Sequence, residues 1–299
     1  AVVGTLNPSA GDVSVFLPLE QAALASAVDA RDHAALYARS NVAANAMGAL
    51  GALSSAFPIP LARALHVPVL DAMSLAFVVY ALAAALAFAL YTGLSRHSAG
   101  GAETPRAPLV KSRRIVLVLS MLFTLDSFAG GFVVQSLLAL WLFQRFHFSL
   151  ADAAGFFFAT QLLSGASQLL SPVVAKKIGL IPTMVFTHLP ANLFLITAAF
   201  MPTPQLAVLF LLLRMSLASM DVPARQAFVM AAVPAEERAA AASVTNVPRS
   251  LGTGLAPLLS GYLLAASNFG WPLVIAGSLK AVYDLLLLLG YRNHAASRM

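Results

Sequence analysis

From Ala72 to Ser95 the chain runs for 24 residues without a charged side chain. A helix rises about 1.5 Å per residue, so such a run can cross the ~30 Å hydrocarbon core of a bilayer. Several other runs approach the same length. Of 299 residues, 60% are hydrophobic and 10% charged, against about 25% charged in a soluble domain. Only helices and closed barrels satisfy the backbone inside lipid, and the alternation of barrel strands is absent. The expected fold class is therefore an all-α polytopic membrane protein. Its predicted helices lie at 1–28, 36–58, 68–94, 115–143, 151–175, 178–201, 205–233, 240–267 and 271–291.

Lys and Arg set the orientation, because cytoplasmic loops carry them in excess. Taking alternate loops as one side places fourteen of the eighteen there, among them Arg96, Arg106, Lys111, Arg113 and Arg114. The other side has Arg63 and Arg145, while Arg214 and Lys280 fall inside helices. The stretch 95–114 and the C-terminus are thus expected in the cytoplasm. A net charge of +6 suits basic loops against an anionic leaflet better than nucleic acid. The chain has no cysteine, which excludes disulfides and thiolate chemistry.

The sequence repeats internally. With an offset of 205 positions, 20-EQAALASAVDARDHAALYARSNVAANAMGALGAL-53 lies over 225-RQAFVMAAVPAEERAAAASVTNVPRSLGTGLAPL-258 without a gap, with 11 of 34 positions identical. Gln21/Gln226, Val28/Val233, Asn41/Asn246 and Val42/Val247 are among them. Repeated halves are a common plan for transporters. The second half opens near Ile115, so the offset predicts roughly 90 residues, about three helices, before Ala1.

With these features the chain resembles the major facilitator superfamily of secondary transporters. The stretch 171-SPVVAKKIG-179 is similar to the second-half copy of that family's Gly-x-x-x-Asp-Arg-x-Gly loop, with Lys176 and Gly179 matching and Ala175 in place of the acid. The stretches 124-TLDSFAGGFVVQSLLALWL-142 and 214-RMSLASMDVPARQ-226 resemble those of bacterial permeases in the superfamily. The glycine ladder of its antiporters is not matched, since 47-MGALGAL-53 lacks the closing proline. The resemblance implies a two-lobe bundle holding helices 4–12 of twelve. Residues 1–94 would be the remainder of the N-terminal lobe, 95–114 a cytoplasmic linker and 115–299 the six-helix C-terminal lobe. It also implies a multi-pass protein of a bacterial inner membrane, monomeric, with a small-molecule substrate and the lipid bilayer as its partners.

Candidate site residues follow from polarity at membrane depth. Asp126 falls near the midplane, where a charge costs at least ~2.5–3.5 kcal/mol and so needs a partner, a proton or water. It is the first candidate for coupling to a proton or cation, with Asp12 the second. Gly130 and Gly131 beside it permit close approach of another helix. Arg214 stays ionised when buried and is expected to bind an anionic substrate or to balance Asp126. Gln161, Ser164, Gln168 and Ser171 form one polar stripe that suits amide contacts with substrate or hydrogen bonds between helices. Lys280 and Asp284, four apart, are expected to neutralise each other; His188 and Asn192 receive no role.

The stretch 205–233, taken as one helix, puts Arg214, Asp221 and Arg225 on one stripe, with Pro223 inviting a kink. Under the repeat, Arg225 and Glu20 are mates of opposite charge. Glu20, Asp221 and Arg225 are the expected cytoplasmic gate. No metal site, cofactor motif or nucleotide-binding Gly-x-x-x-x-Gly-Lys-Ser/Thr loop occurs, nor does His-Glu-x-x-His or Gly-x-Ser-x-Gly. The expectation is a transporter driven by a proton or ion gradient, not an enzyme. The alternatives are a non-transporting receptor or scaffold with the same fold, or an inactive fragment of a transporter.

Overall fold

Helices occupy the apolar segments in the computed structural model, which describes residues 29, 32–98 and 108–291. All regular structure among them is helical. In chain order the helices are α1 (His33–Ser54), α2 (Pro58–Leu65), α3 (Val69–Ser98), α4 (Arg113–Gly131), α5 (Gln135–Phe146) and α6 (Leu150–Ile178). They continue with α7 (Leu180–Phe200), α8 (Pro204–Ala218), α9 (Asp221–Ala231), α10 (Arg238–Ala266) and α11 (Trp271–Tyr291). The segment expected at 1–28 lies outside the described residues.

Among the described residues, five stretches are long and apolar enough to cross a membrane: 69–90, 113–146, 180–200, 204–231 and 271–291. A sixth is the pair α1–α2, bent by 42°. Two further expected segments, 151–175 and 240–267, coincide with α6 and α10, and the expected segment at 1–28 lies outside the described residues. Helices α6 and α10 are 29 residues long, ample for a bilayer, but much of their polarity points into the bundle. Ser164, Ser167, Gln168 and Ser171 of α6 and Thr245, Asn246 and Ser260 of α10 are buried.

Two of the expected helices are broken. The span 113–146 interrupts at Phe132–Val134, between α4 and α5. The span 204–231 interrupts at Ser219–Met220, between α8 and α9. Pro223 explains the position of the second break. In a continuous helix its ring would meet the carbonyl four residues back. With the chain broken at 219–220, Pro223 sits in the first turn of α9, where no backbone N–H is needed. Each break exposes a carbonyl that lipid cannot satisfy, and a serine from a neighbouring helix supplies the donor. The Ser171 hydroxyl donates to the Met220 carbonyl at 2.7 Å, and the Ser260 hydroxyl donates to the Phe132 carbonyl at 2.7 Å.

Helix pairing sets the rest. α4 lies along α10, α1 along α6, and α7 between α8 and α11. Helix α3 packs against α2 and shows lipid a nearly uniform apolar surface, including Leu70, Phe77, Leu82 and Phe88. One residue, Gly179, joins α6 to α7 at φ 93°, a conformation that a side chain would strain. Helices α1 and α10, from the two copies of the repeat, begin at His33 and Arg238, which keeps the offset of 205 seen in the sequence.

Outside the bundle, Glu237 fastens the start of α4. Its carboxylate accepts the backbone N–H groups of Val110 at 3.0 Å, Lys111 at 2.8 Å and Ser112 at 3.0 Å. Burial works against ionisation, but the three N–H donors outweigh it and hold the carboxyl below its ordinary range. A depressed folded-state pKa means that the clasp stabilises fully above the ordinary carboxylate pKa and loosens as pH falls through the depressed value. Glu237→Ala should therefore speed amide hydrogen exchange at Val110, Lys111 and Ser112 at neutral pH. The difference from wild type should shrink in acid. Equal exchange in both proteins at neutral pH would dismiss the clasp.

Candidate functional site

Along α4, α7 and α11 one apolar core gives way to another, and the change falls at charged residues. On α4 the first core ends at Phe123, the second begins at Phe132 just past the helix end, and Asp126 lies between. On α7 the same two cores end and begin at Val185 and Leu195, with His188 and Asn192 between. On α11 Lys280 lies between Ala276 of one core and Tyr283 of the other. The bundle thus holds an ionic layer sealed by apolar side chains at both ends.

Asp126 is the centre of this layer and is 5% exposed. Oδ1 accepts from the Lys280 ammonium at 2.5 Å, and Oδ2 from Arg225 Nη1 at 3.4 Å. Arg225 also pairs with Asp221, one turn earlier on α9, at 3.6 Å, and its guanidinium lies 5.8 Å from the centre of the Phe123 ring. Asp221 stands at the first position of α9, where a carboxylate favours the helix dipole. Gly130, one turn after Asp126, keeps a path open for the lysine: a Cβ there would lie 3.7 Å from Lys280 Nζ. Gly130→Ala should be tolerated, whereas Gly130→Leu should displace Lys280 and lower the melting temperature. Equal stability of the two variants would refute this role.

A second group adjoins the first. The Asp284 carboxylate, fully buried, faces His188 Nδ1 at 2.9 Å through Oδ1 and accepts Asn192 Nδ2 at 2.9 Å through Oδ2. The Tyr283 ring meets the His188 ring edge-on, with centroids 6.2 Å apart. Close approach of the helices makes this possible. A Cβ on Gly277 of α11 would lie 2.8 Å from the Asn192 carbonyl and 2.5 Å from Ile196 Cγ1.

Several expectations are corrected by this geometry. Lys280 and Asp284 do not neutralise each other: the lysine turns to Asp126, and the aspartate is held by His188 and Asn192. Arg214 makes no direct ion pair with Asp126, whose oxygens go to Lys280 and Arg225. The break after Ala218 interrupts the single stripe, and Arg214 Nη1 lies 3.1 Å from Met215 Sδ, with the charges of Asp126 and Asp221 still acting on its guanidinium. Arg225 sits in the buried layer, 5% exposed. Glu20, its expected gate partner, and Asp12 lie outside the described residues.

The polar stripe of α6 serves the broken helix. Gln168 donates to Ser164 at 3.3 Å, Ser164 to the Ser219 hydroxyl at 2.7 Å, and Ser171 to the Met220 carbonyl. Gln161 lies against α1, where its amide nitrogen crowds Gly48. Another link went unforeseen: Asn41 of α1 donates to Gln226 of α9 at 3.1 Å, joining two residues that the repeat had singled out.

Buried charge inside a bundle of apolar, lipid-length helices defines a polytopic α-helical membrane protein. The chain is similar to an uncharacterized membrane protein of Saccharomyces cerevisiae, with 24% identity over 324 aligned positions that cover 96% of this chain and 72% of the yeast protein. No protein-family model matches the chain, and no solved structure does.

Proposed function

We propose that this chain is a secondary transporter of the major facilitator type, moving a small solute by alternating access under a proton or ion gradient. Neither enzymatic chemistry nor a cofactor enters this reading. The observation that carries it is the ionic layer of Asp126, Arg225, Lys280 and Asp221 beside a broken helix. Intramembrane ionisable groups mark substrate and ion pathways, and discontinuous helices recur where transporters bind. A rigid scaffold is the rival reading, favoured by the close pairing of Asp126 with two cations.

The Asn41–Gln226 contact separates the two. It joins α1, from the first copy of the repeat, to α9, from the second, so alternating access should stretch it. Asn41→Cys with Gln226→Cys can be bridged specifically once any cysteine outside these 299 residues is replaced, since these residues hold none. In liposomes bearing the full-length protein, a panel of small solutes is tested for uptake under a pH gradient and for counterflow. Bridging with a short reducible linker should stop both, and reduction should restore them. Transport that is indifferent to the bridge would refute alternating access at this contact. A folded protein that moves no solute in the panel would favour the scaffold.

A further inference from the structure

We propose that His188, Asp284 and Asn192 form a binding site for one proton, the coupling cation of the transport cycle. The inference rests on the transport reading above and moves the coupling site away from Asp126. Asp126 already holds two permanent cations, Lys280 and Arg225, so a proton there would have to displace both. Asp221 shares Arg225. Asp284 is different. It is fully buried, yet among the described residues neither a lysine nor an arginine touches it, and Lys280 on the adjacent turn has turned elsewhere. A carboxylate so placed is stabilised by a nearby positive charge, and the imidazole at 2.9 Å can supply one when protonated.

Histidine titrates near pH 6.5 when unperturbed, within the range that a proton gradient spans. With Asp284 ionised, the hydrogen bond at 2.9 Å places the N–H on Nδ1, which leaves the Nε2 lone pair to take the incoming proton. Binding converts a neutral imidazole beside a carboxylate into an imidazolium–carboxylate pair, and release restores the neutral ring. Two further buried oxygens, Asn192 Oδ1 and Tyr283 Oη, have no hydrogen-bond partner among the described residues. Both belong to residues that touch His188, so the cluster has unused polar capacity around the ring. The charged groups facing His188 are Asp284 and Lys280 from α11, Asp126 from α4 and Asp221 from α9. From its own helix comes Asn192, and from α11 also the neutral Tyr283 ring.

The test reads the proton directly and needs no substrate. Full-length protein labelled with 15N-histidine is reconstituted in liposomes and titrated by solid-state NMR. His188→Gln assigns the resonance. If that variant fails to fold, a protein in which every histidine but His188 is replaced, including the other five of the six in this chain, isolates the same signal. His188 should pass from neutral to charged between pH 5 and 8. Asp284→Asn should weaken its proton affinity at least tenfold, since the carboxylate that stabilises the imidazolium is gone. A His188 that keeps one charge state throughout that range overturns the proposal. So does a titration that follows sodium concentration and not pH. The two readings fail separately. A titrating His188 with no solute transport under any gradient leaves the proton site standing and removes the transporter. Gradient-driven transport with a silent His188 does the reverse.

Discussion

Asp126→Asn should cost the fold about 3–5 kcal/mol, the usual consequence of removing one partner from a buried ion pair. Arg225 would keep Asp221, but Lys280 would be left between two apolar cores with its counter-ion gone. The loss therefore comes chiefly from a stranded ammonium. Lys280→Met in the same chain should recover most of it, because replacing a whole buried pair by well-packed apolar groups is often neutral. The coupling between the two substitutions should reach roughly 2–3 kcal/mol in a double-mutant cycle, measured by denaturant unfolding in detergent. If Asp126→Asn unfolds at the wild-type denaturant concentration, the layer is hydrated and the pairing does not hold the bundle.

Gly277→Leu should be comparably severe and for a different reason. The glycine lets α11 approach the backbone of α7, and a Cβ would already lie 2.8 Å from the Asn192 carbonyl. Overpacking of this kind costs typically 1–3 kcal/mol and occasionally more, and here the helices that must separate carry His188 and Asp284. Expected together are a lower melting temperature and loss of the His188 titration. Gly254→Leu is the control, since nothing lies within 4 Å of a Cβ there, and its melting temperature should match wild type. Equal effects from the two substitutions would refute the close-packing argument.

Membrane helices declare themselves by length and apolarity, so the helical class and the placement of α3, α7 and α11 were legible in the sequence. The same periodicity could not show where a span breaks. Pro223 gave a signal in the right place, but it locates a break only once the break has set it in a first turn. The serines that make the breaks tolerable, Ser171 and Ser260, resemble any other small polar residue of a membrane helix. Asp126 was conspicuous because charge at that depth is costly. Its partners were not, because Lys280 has an acid of its own one turn away and nothing local says that it will be ignored. His188 was passed over for the same reason: its partner Asp284 lies 96 positions further along the chain.

That distance bears on how the protein is made. Chains are synthesised at about 5–20 residues per second, and Asp126 leaves the ribosome ahead of both its cations, Arg225 being 99 positions later and Lys280 154. For roughly 5–20 seconds after α4 is complete, its acid has neither of the charges that will hold it. A nascent α4 must therefore enter the bilayer with that carboxyl protonated, or wait in the wet mouth of the insertion machinery until α11 arrives. Biogenesis, more than the finished fold, is where Asp126 is most exposed to error. A nascent chain cut short before Lys280 carries the acid into the membrane without the lysine that the finished bundle provides.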